Sequence, residues 1–303
     1  MQAFQRLGDI EPRWLIGRRP EATQAFAERW RFAHHSTRFE NALNDDQVDS
    51  VVITTPHALH AGQAMGALQA GKHVLVEIPL ALSLADARRV IDAADKNDRR
   101  LMVCHTMRTF PAIVEVKRQM EAGGFQLHHL LGYFGIVRRS NISWDGRERS
   151  WTDDILWHHA AHMVDIALWL AQPRNVAEVT CRSGPAHPTQ GILDLSLILR
   201  FDDDTLSTIV VTYNTTKSHW GATFIGEEGT LEFRDGGLTD VRDQSVVVAP
   251  HPVTDLFDQN SEFVRAVREK RQPAISGRSV LPAMIVLDAA ERSAKLKKSI
   301  TLM

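Results

Sequence analysis

Four short apolar runs, each followed by residues with helical periodicity, fill roughly the first hundred positions and leave few folds open. The runs lie at 13–16, 49–55, 73–77 and 101–104, and Pro56 and Pro79 stop the second and third. Between them, 21–32 carries Ala22, Ala25, Phe26 and Trp30 at helical spacing, 58–70 is stopped by Gly71, and Ser83 with Asp86 opens a helix over 84–97. Strands alternating with helices of this length predict βαβ units and a parallel sheet. The β-branched run Val51-Val52-Ile53-Thr54-Thr55 suits a strand buried on both faces. Ligands of such sheets sit beyond the carboxyl ends of the strands, which singles out 54–60, 77–79 and 105–108.

The second half changes pattern. After a helix over 111–122 and the Gly123-Gly124 break, strand-like runs recur at hairpin distances, near 127–138, 176–183, 191–201, 205–213, 221–225, 229–234 and 244–249. Helices are expected at 153–170, 255–271 and 279–297. This is an α+β pattern with a mostly antiparallel sheet. A length of 303 residues suits two domains of about 150 residues, placed at 1–108 and 109–303. With 44% hydrophobic and 24% charged residues each can bury a core. A net charge of -2 argues against a nucleic-acid partner, and no run of about 18 apolar residues predicts a membrane span. Cys104 and Cys181 read as reduced thiols, and with no secretory start a cytoplasmic location is expected.

The densest chemistry lies in 149–165. On one helix, His158, His162 and Asp165 share a face at i, i+4 and i+7. Two imidazoles and a carboxylate on one stripe can take and pass a proton near neutral pH. Hydrogen-bonded core histidines and a metal pair are the alternatives. HxxxH spacing suits zinc, but His159 stands where a metalloprotease helix carries Glu, and no metal is expected. Arg108, Arg138, Arg139 and Arg149 could clamp carboxylates bidentately, or form a solvated basic loop diluted by Asp145 and Glu148.

Gly17-Arg18-Arg19 follows the first apolar run without an acidic residue. In a dinucleotide fold, arginine at that place accommodates the 2′-phosphate of NADP. Yet no G-x-G-x-x-G occurs in the chain, although a dinucleotide domain uses those glycines to bring backbone to the pyrophosphate. The opening MQAFQRLGDI reads as a helix leading into a second strand.

The segment Ala70-Gly71-Lys72-His73-Val74-Leu75-Val76-Glu77-Ile78-Pro79 resembles the AGKHVxxEKP signature of the glucose–fructose oxidoreductase/inositol dehydrogenase family. The resemblance implies a Rossmann domain, here lacking its first strand and Gly-rich loop, followed by an open α+β sheet domain. The family's catalytic lysine is replaced by Ile78, and the aspartate of its D-x3-H motif by His158. One branch shares these departures, together with His105-Thr106-x-Arg108, Arg138-Arg139-x-Asn141, Arg149-Ser150-Trp151-Thr152-Asp153 and Leu156-Trp157-His158-His159-Ala160-Ala161-His162.

That branch implies NADP-linked oxidation (NAD possible) of the cyclic hemiacetal of a carboxylated semialdehyde to a pyrone dicarboxylate, in aromatic-compound degradation through protocatechuate. His162 would be the base, assisted by His158 and oriented by Asp165. Arg108, Arg138, Arg139, Arg149, Trp151, His105 and Asn214 would bind substrate. Arg18, Arg19, Thr54, Thr55, Pro56, His60, Glu77 and Pro79 would line the cofactor. A small carboxylated substrate and a homodimer or homotetramer are the implied partners. Residues 213–218 depart from the Asn- and Gly-rich loop of the branch. Another sugar-acid or polyol dehydrogenase, or a relative without cofactor binding, are the competing readings.

Overall fold

The computed structural model describes every residue except 141, 143–145, 147, 149–151, 189, 190 and 303. The chain forms two compact units. The first comprises Met1–Ala81, Ala85–Cys104 and Asp255–Ser279; the second comprises Leu82–Leu84, His105–Thr254 and Val280–Met303. The boundary expected after residue 108 therefore falls after Cys104, and a segment expected in the second domain belongs to the first.

In the first unit, α1 (Gln2–Leu7) leads into β1 (Trp14–Ile16), α2 (Pro20–Trp30), β2 (His34–Ser36) and α3 (Glu40–Leu43). Next come β3 (Ser50–Ile53), α4 (His57–Gln69), β4 (His73–Val76), α5 (Leu84–Lys96) and β5 (Leu101–Val103). All strand pairs are parallel, as the alternation predicts. Val74, Leu75, Val76, Met102 and Val103 are almost wholly buried, as are Ala64, Ala67 and Leu68 of α4 and Ala87 and Val90 of α5.

The parallel strands fall into two sheets, β1-β2 and β3-β4-β5. A doubly wound sheet runs 3-2-1-4-5-6, so β1 and β2 take places 2 and 3, and β3 to β5 take places 4 to 6. Among the described residues no strand pairs with the second edge of β1 or of β3. Exposure follows: Val52 on β3 is 46% exposed, and all three residues of β1 are half-buried. Among the described residues, none takes place 1 of that order.

The second unit starts with a 3₁₀ turn (Thr106–Thr109) and α6 (Pro111–Glu121). Its strands are β6 (Leu127–Gly135), β7 (Val176–Ser183), β8 (Ala186–His187), β9 (Gly191–Ile192), β10 (Asp194–Phe201), β11 (Leu206–Thr212), β12 (His219–Gly226), β13 (Thr230–Arg234), β14 (Gly237–Asp240), β15 (Val246–Val248) and β16 (Ile300–Thr301). A π turn (Leu156–Ala160) runs into α7 (Ala161–Ala171). Further on, α8 (Phe257–Arg268) belongs to the first unit, and α9 (Gly277–Leu296) passes from the first unit to the second.

Nine strands form one sheet in the order β15-β14-β13-β12-β6-β11-β10-β7-β16. Only β6 and β11 pair in parallel. Alternation is clean along β10, where Leu195, Leu197, Leu199 and Phe201 are buried while Ser196 and Ile198 are exposed. Inward residues pack on α7, and Gly132 of β6 admits the Met163 sulfur, which would lie 3.1 Å from an added Cβ.

Two strands of these sheets carry no apolar signal in the sequence. β2 is His34-His35-Ser36, held by its pairing with β1. β14 follows a tight turn in which Asp235 and Gly236 take φ of 51° and 81°, and a Cβ on Gly236 would collide with the carbonyl oxygen of His251. The helix expected at 153–170 opens as the π turn instead. Asp154 Oδ1 caps it, accepting from the amides of Leu156 (2.9 Å) and Trp157 (3.0 Å). The amide of Ala160 then reaches back five residues to Ile155 (3.1 Å).

Candidate active site

In the second unit, the π turn places His158 and His159 beside the ends of β6 and β11. Their rings lie 4.1 Å apart, centre to centre. Nδ1 of His158 is 3.8 Å from Oδ1 of Asp153, whose side chain is 3% exposed. The other oxygen of Asp153 accepts from Nη1 of Arg138. Nδ1 of His159 is 2.7 Å from the hydroxyl of Tyr213, which lies just beyond β11 and is 2% exposed. The stripe prediction overlooked Asp153 and Tyr213. The signal available for Tyr213 was a tyrosine closing an alternating strand, whose buried hydroxyl requires a partner.

His162, one turn into α7, has different neighbours. Its ring stacks on Phe134 at 6.0 Å and stands edge-on to His105 at 6.3 Å. Nδ1 is buried and has no hydrogen-bond partner among the described residues. Burial, with His105 alongside, pushes the His162 pKa down to about 3, so the ring is neutral at neutral pH.

Asp165 does not orient His162 as expected. It holds Arg108 in a bidentate pair, Nε to Oδ2 at 2.7 Å and Nη2 to Oδ1 at 2.5 Å, with both side chains buried. His105 Nδ1 is 3.5 Å from the same carboxylate, and burial lowers its pKa. Arg108 and His105, both expected to meet substrate, are thus held, buried, against the Asp165 carboxylate. A cation buried to this degree requires a carboxylate partner, and Asp165 supplies one.

Two further clamp candidates, Arg138 and Arg139, are also engaged within the protein. Arg138 holds Asp153, and Arg139 donates to the backbone oxygen of Asn214. The Asn214 amide donates to Asp194, which also accepts from Thr212. Asn214 thus ties the loop after β11 to the start of β10. Arg149 and Trp151 lie outside the described residues.

The cofactor candidates belong to the first unit. Parallel register sets Ile53 opposite Val76, so Thr54, Thr55 and Pro56 emerge level with Glu77 and Pro79. His60, fully buried, sets its two ring nitrogens against the carbonyl oxygens of Pro79 (2.8 Å) and Thr55 (2.7 Å). It braces the two loops expected to line the cofactor, and both its ring nitrogens are engaged in doing so. Burial raises the carboxyl pKa of Glu77. At the end of β1, Gly17 turns tightly: a Cβ there would overlap the Thr23 hydroxyl. Arg18 and Arg19 follow, both exposed. The residues present fit the ribose-phosphate and nicotinamide ends of a dinucleotide, while the glycine turn for its pyrophosphate has no counterpart in the 303 residues.

Residues 1–105 match an oxidoreductase family with an NAD-binding Rossmann fold, and 111–251 match the C-terminal domain of bacterial oxidoreductases. The chain is 33% identical over 296 residues to 4-carboxy-2-hydroxymuconate-6-semialdehyde dehydrogenase of Sphingobium sp., covering 96% of this chain and 93% of that protein. It is 32% identical over 133 residues to inositol 2-dehydrogenase of Salmonella typhimurium, covering 44% of this chain and 38% of that one. The fold is that of levoglucosan dehydrogenase in complex with NADH, with a TM-score of 0.84 at 19% identity over 97% of this chain and 90% of the other.

Proposed function

Since the chain belongs to the glucose–fructose oxidoreductase/inositol dehydrogenase family of NAD(P)-dependent oxidoreductases, we propose that it oxidises the cyclic hemiacetal of 4-carboxy-2-hydroxymuconate-6-semialdehyde, or a close carboxylated relative, to 2-pyrone-4,6-dicarboxylate. The observation that carries this reading is the 33% identity maintained across nearly the full length of both proteins. The replacement of lysine by Ile78 supports a histidine-based variant of the family's chemistry.

Oxidation of a hemiacetal removes a hydride from carbon and a proton from the hydroxyl, leaving the lactone carbonyl. The oxidised nicotinamide, when bound, supplies the hydride acceptor. His158 takes the hydroxyl proton, because the Asp153 carboxylate at 3.8 Å stabilises its charged form. His162, with its pKa near 3, is too weak a base to be the final acceptor; it remains neutral and holds the hydroxyl by a hydrogen bond. Arg139 and Arg149 are the carboxylate-binding candidates, since Arg108 and Arg138 are paired to aspartates.

NADP is the preferred cofactor in this proposal. β1 and β2 end together, Ile16 opposite Ser36, so exposed Arg38 joins Arg18 and Arg19 at one strand end with no acidic residue in 17–19. The working form is a homo-oligomer joined through the outer face of the nine-stranded sheet. Thr180, Ile198, Thr208, Leu131 and Thr223 form one registered row across five strands there, and Ile198 and Leu131 are 45% and 40% exposed.

The test is turnover. With the semialdehyde and NADP+, reduced nicotinamide and the pyrone should appear together, and His158→Gln should lower kcat by on the order of a hundredfold. Full turnover by that variant would remove His158 from the role of base.

A further inference from the structure

Two imidazoles whose centres lie 4.1 Å apart, tilted at 39°, cannot both carry charge without repulsion, so a proton arriving at His158 and His159 has to be directed to one of them. The surroundings of the pair are not symmetrical. His158 faces the carboxylate of Asp153. His159 faces the hydroxyl of Tyr213 at 2.7 Å, and the two rings meet edge-on at 87°.

The phenol fixes the direction of that hydrogen bond. Tyr213 is buried and its hydroxyl stays protonated. Among the described residues the acceptor beside that hydroxyl is Nδ1 of His159, at 2.7 Å. The Arg138 guanidinium, 5.9 Å from the Tyr213 ring centre, has only donors and offers the phenol proton no acceptor. Were Nδ1–H to donate instead, the phenol's own proton would lack an acceptor in that pair, and a buried donor without a partner is costly.

We propose that Tyr213 is a positioning residue that decides which of the two rings charges: it holds His159 as the neutral Nε2–H tautomer and leaves His158, beside Asp153, as the ring that takes the proton. The proposal deepens the proposed function and rests on its assignment of His158 as base. Tyr213 acts through His159 and touches neither substrate nor cofactor in this account. Arg138 has one task in it, holding the Asp153 carboxylate that faces His158.

The experiment uses the full 303-residue chain, labelled with ¹⁵N at histidine, as wild type and as Tyr213→Phe, which removes only the hydroxyl. Two-dimensional ¹H–¹⁵N spectra report the tautomer of each ring. The expected result is a single Nε2–H tautomer for His159 in wild type and a tautomer mixture in Tyr213→Phe. In the variant His159 should also begin to take protons, so that His158 and His159 titrate as a coupled two-step pair. Tyr213→His is the second variant should the phenylalanine chain not fold, since a ring nitrogen there offers a polar partner again.

An Nδ1–H tautomer in wild type, or identical spectra and titrations in wild type and Tyr213→Phe, would overturn the proposal. Turnover separates it from the reading beneath it. If the semialdehyde is a substrate, kcat/KM should fall on the order of tenfold in Tyr213→Phe with KM for NADP+ unchanged, and an unaltered kcat/KM would sink the positioning role. If the wild type, extended by a fused strand and glycine turn, turns over no semialdehyde at all, the proposed function fails, and the tautomer and titration results decide the placement of the proton independently.

Discussion

Arg108 holds both carboxylate oxygens of Asp165, at 2.7 and 2.5 Å, across 57 residues of sequence and with both side chains buried. The pair joins the 3₁₀ turn after β5 to α7, and so sets the backing of His105 and His162. Removing one partner leaves the other charge buried without compensation, typically at a cost of about 3–5 kcal/mol. Asp165→Asn should therefore lower the urea midpoint markedly, and Arg108→Met with Asp165→Leu should recover much of the loss. A double variant as unstable as the single one would show that the pair itself contributes net stability.

Stability should also depend on pH through His162. Its folded pKa, about 3, lies below the ordinary value of 6.5, so the unfolded chain binds the proton more readily. The stability of the neutral form is fully present above about pH 6.5 and is lost as pH falls toward 3, at most about 1.4 kcal/mol per pH unit for one proton. Burial lowers the pKa of His105 as well, and adds in the same direction. Urea midpoints measured between pH 7 and pH 5 should fall less steeply in His162→Gln. An unchanged slope would show that His162 is not the titrating group.

At the end of β1, Arg18→Ala with Arg19→Ala should raise KM for NADP+ on the order of tenfold and leave KM for NAD+ nearly unchanged, since charge-assisted hydrogen bonds to the 2′-phosphate exist only in the former. Equal effects on both cofactors would place these arginines elsewhere than the 2′-phosphate.

The sheet face makes its own prediction. Placing carboxylates in the registered row, as Leu131→Asp with Ile198→Asp, should yield monomers in analytical ultracentrifugation without loss of the helical circular dichroism signal. A wild-type chain that sediments as a monomer would contradict the oligomer.

The open edges of β1 and β3 predict a gain. Fusing a β-branched strand and a G-x-G-x-x-G turn ahead of Gln2 should raise Tm and tighten NADPH binding at least tenfold, because a central strand would pair both edges and the turn would meet the pyrophosphate. An unchanged Tm would mean the added strand does not enter the sheet.

Much of this fold was legible because apolar runs alternating with helical periodicity leave a plain mark. The runs at 49–55, 73–77 and 101–104 read as parallel strands, and they contain β3 (Ser50–Ile53), β4 (His73–Val76) and β5 (Leu101–Val103). β2 was not legible, since His34-His35-Ser36 is polar and takes strand form only through its neighbour. At the site, periodicity put His158, His162 and Asp165 on one stripe, while the structure pairs Asp165 with Arg108 and sets Asp153 beside His158. Spacing along a helix sees Asp165 and cannot see Arg108 arriving from another element to claim it. Asp153 and Tyr213 escaped for the same reason, as their partners meet only after the π turn forms and β11 pairs with β6.

The most direct test of the central claim follows nicotinamide absorbance and product together, in the chain extended by a fused strand and glycine turn, with the semialdehyde and NADP+. The account predicts one reduced nicotinamide per 2-pyrone-4,6-dicarboxylate formed, with kcat depressed in His158→Gln. Turnover of an uncharged polyol in preference to the carboxylated semialdehyde, or no reduction of either nicotinamide with this acid, would contradict it.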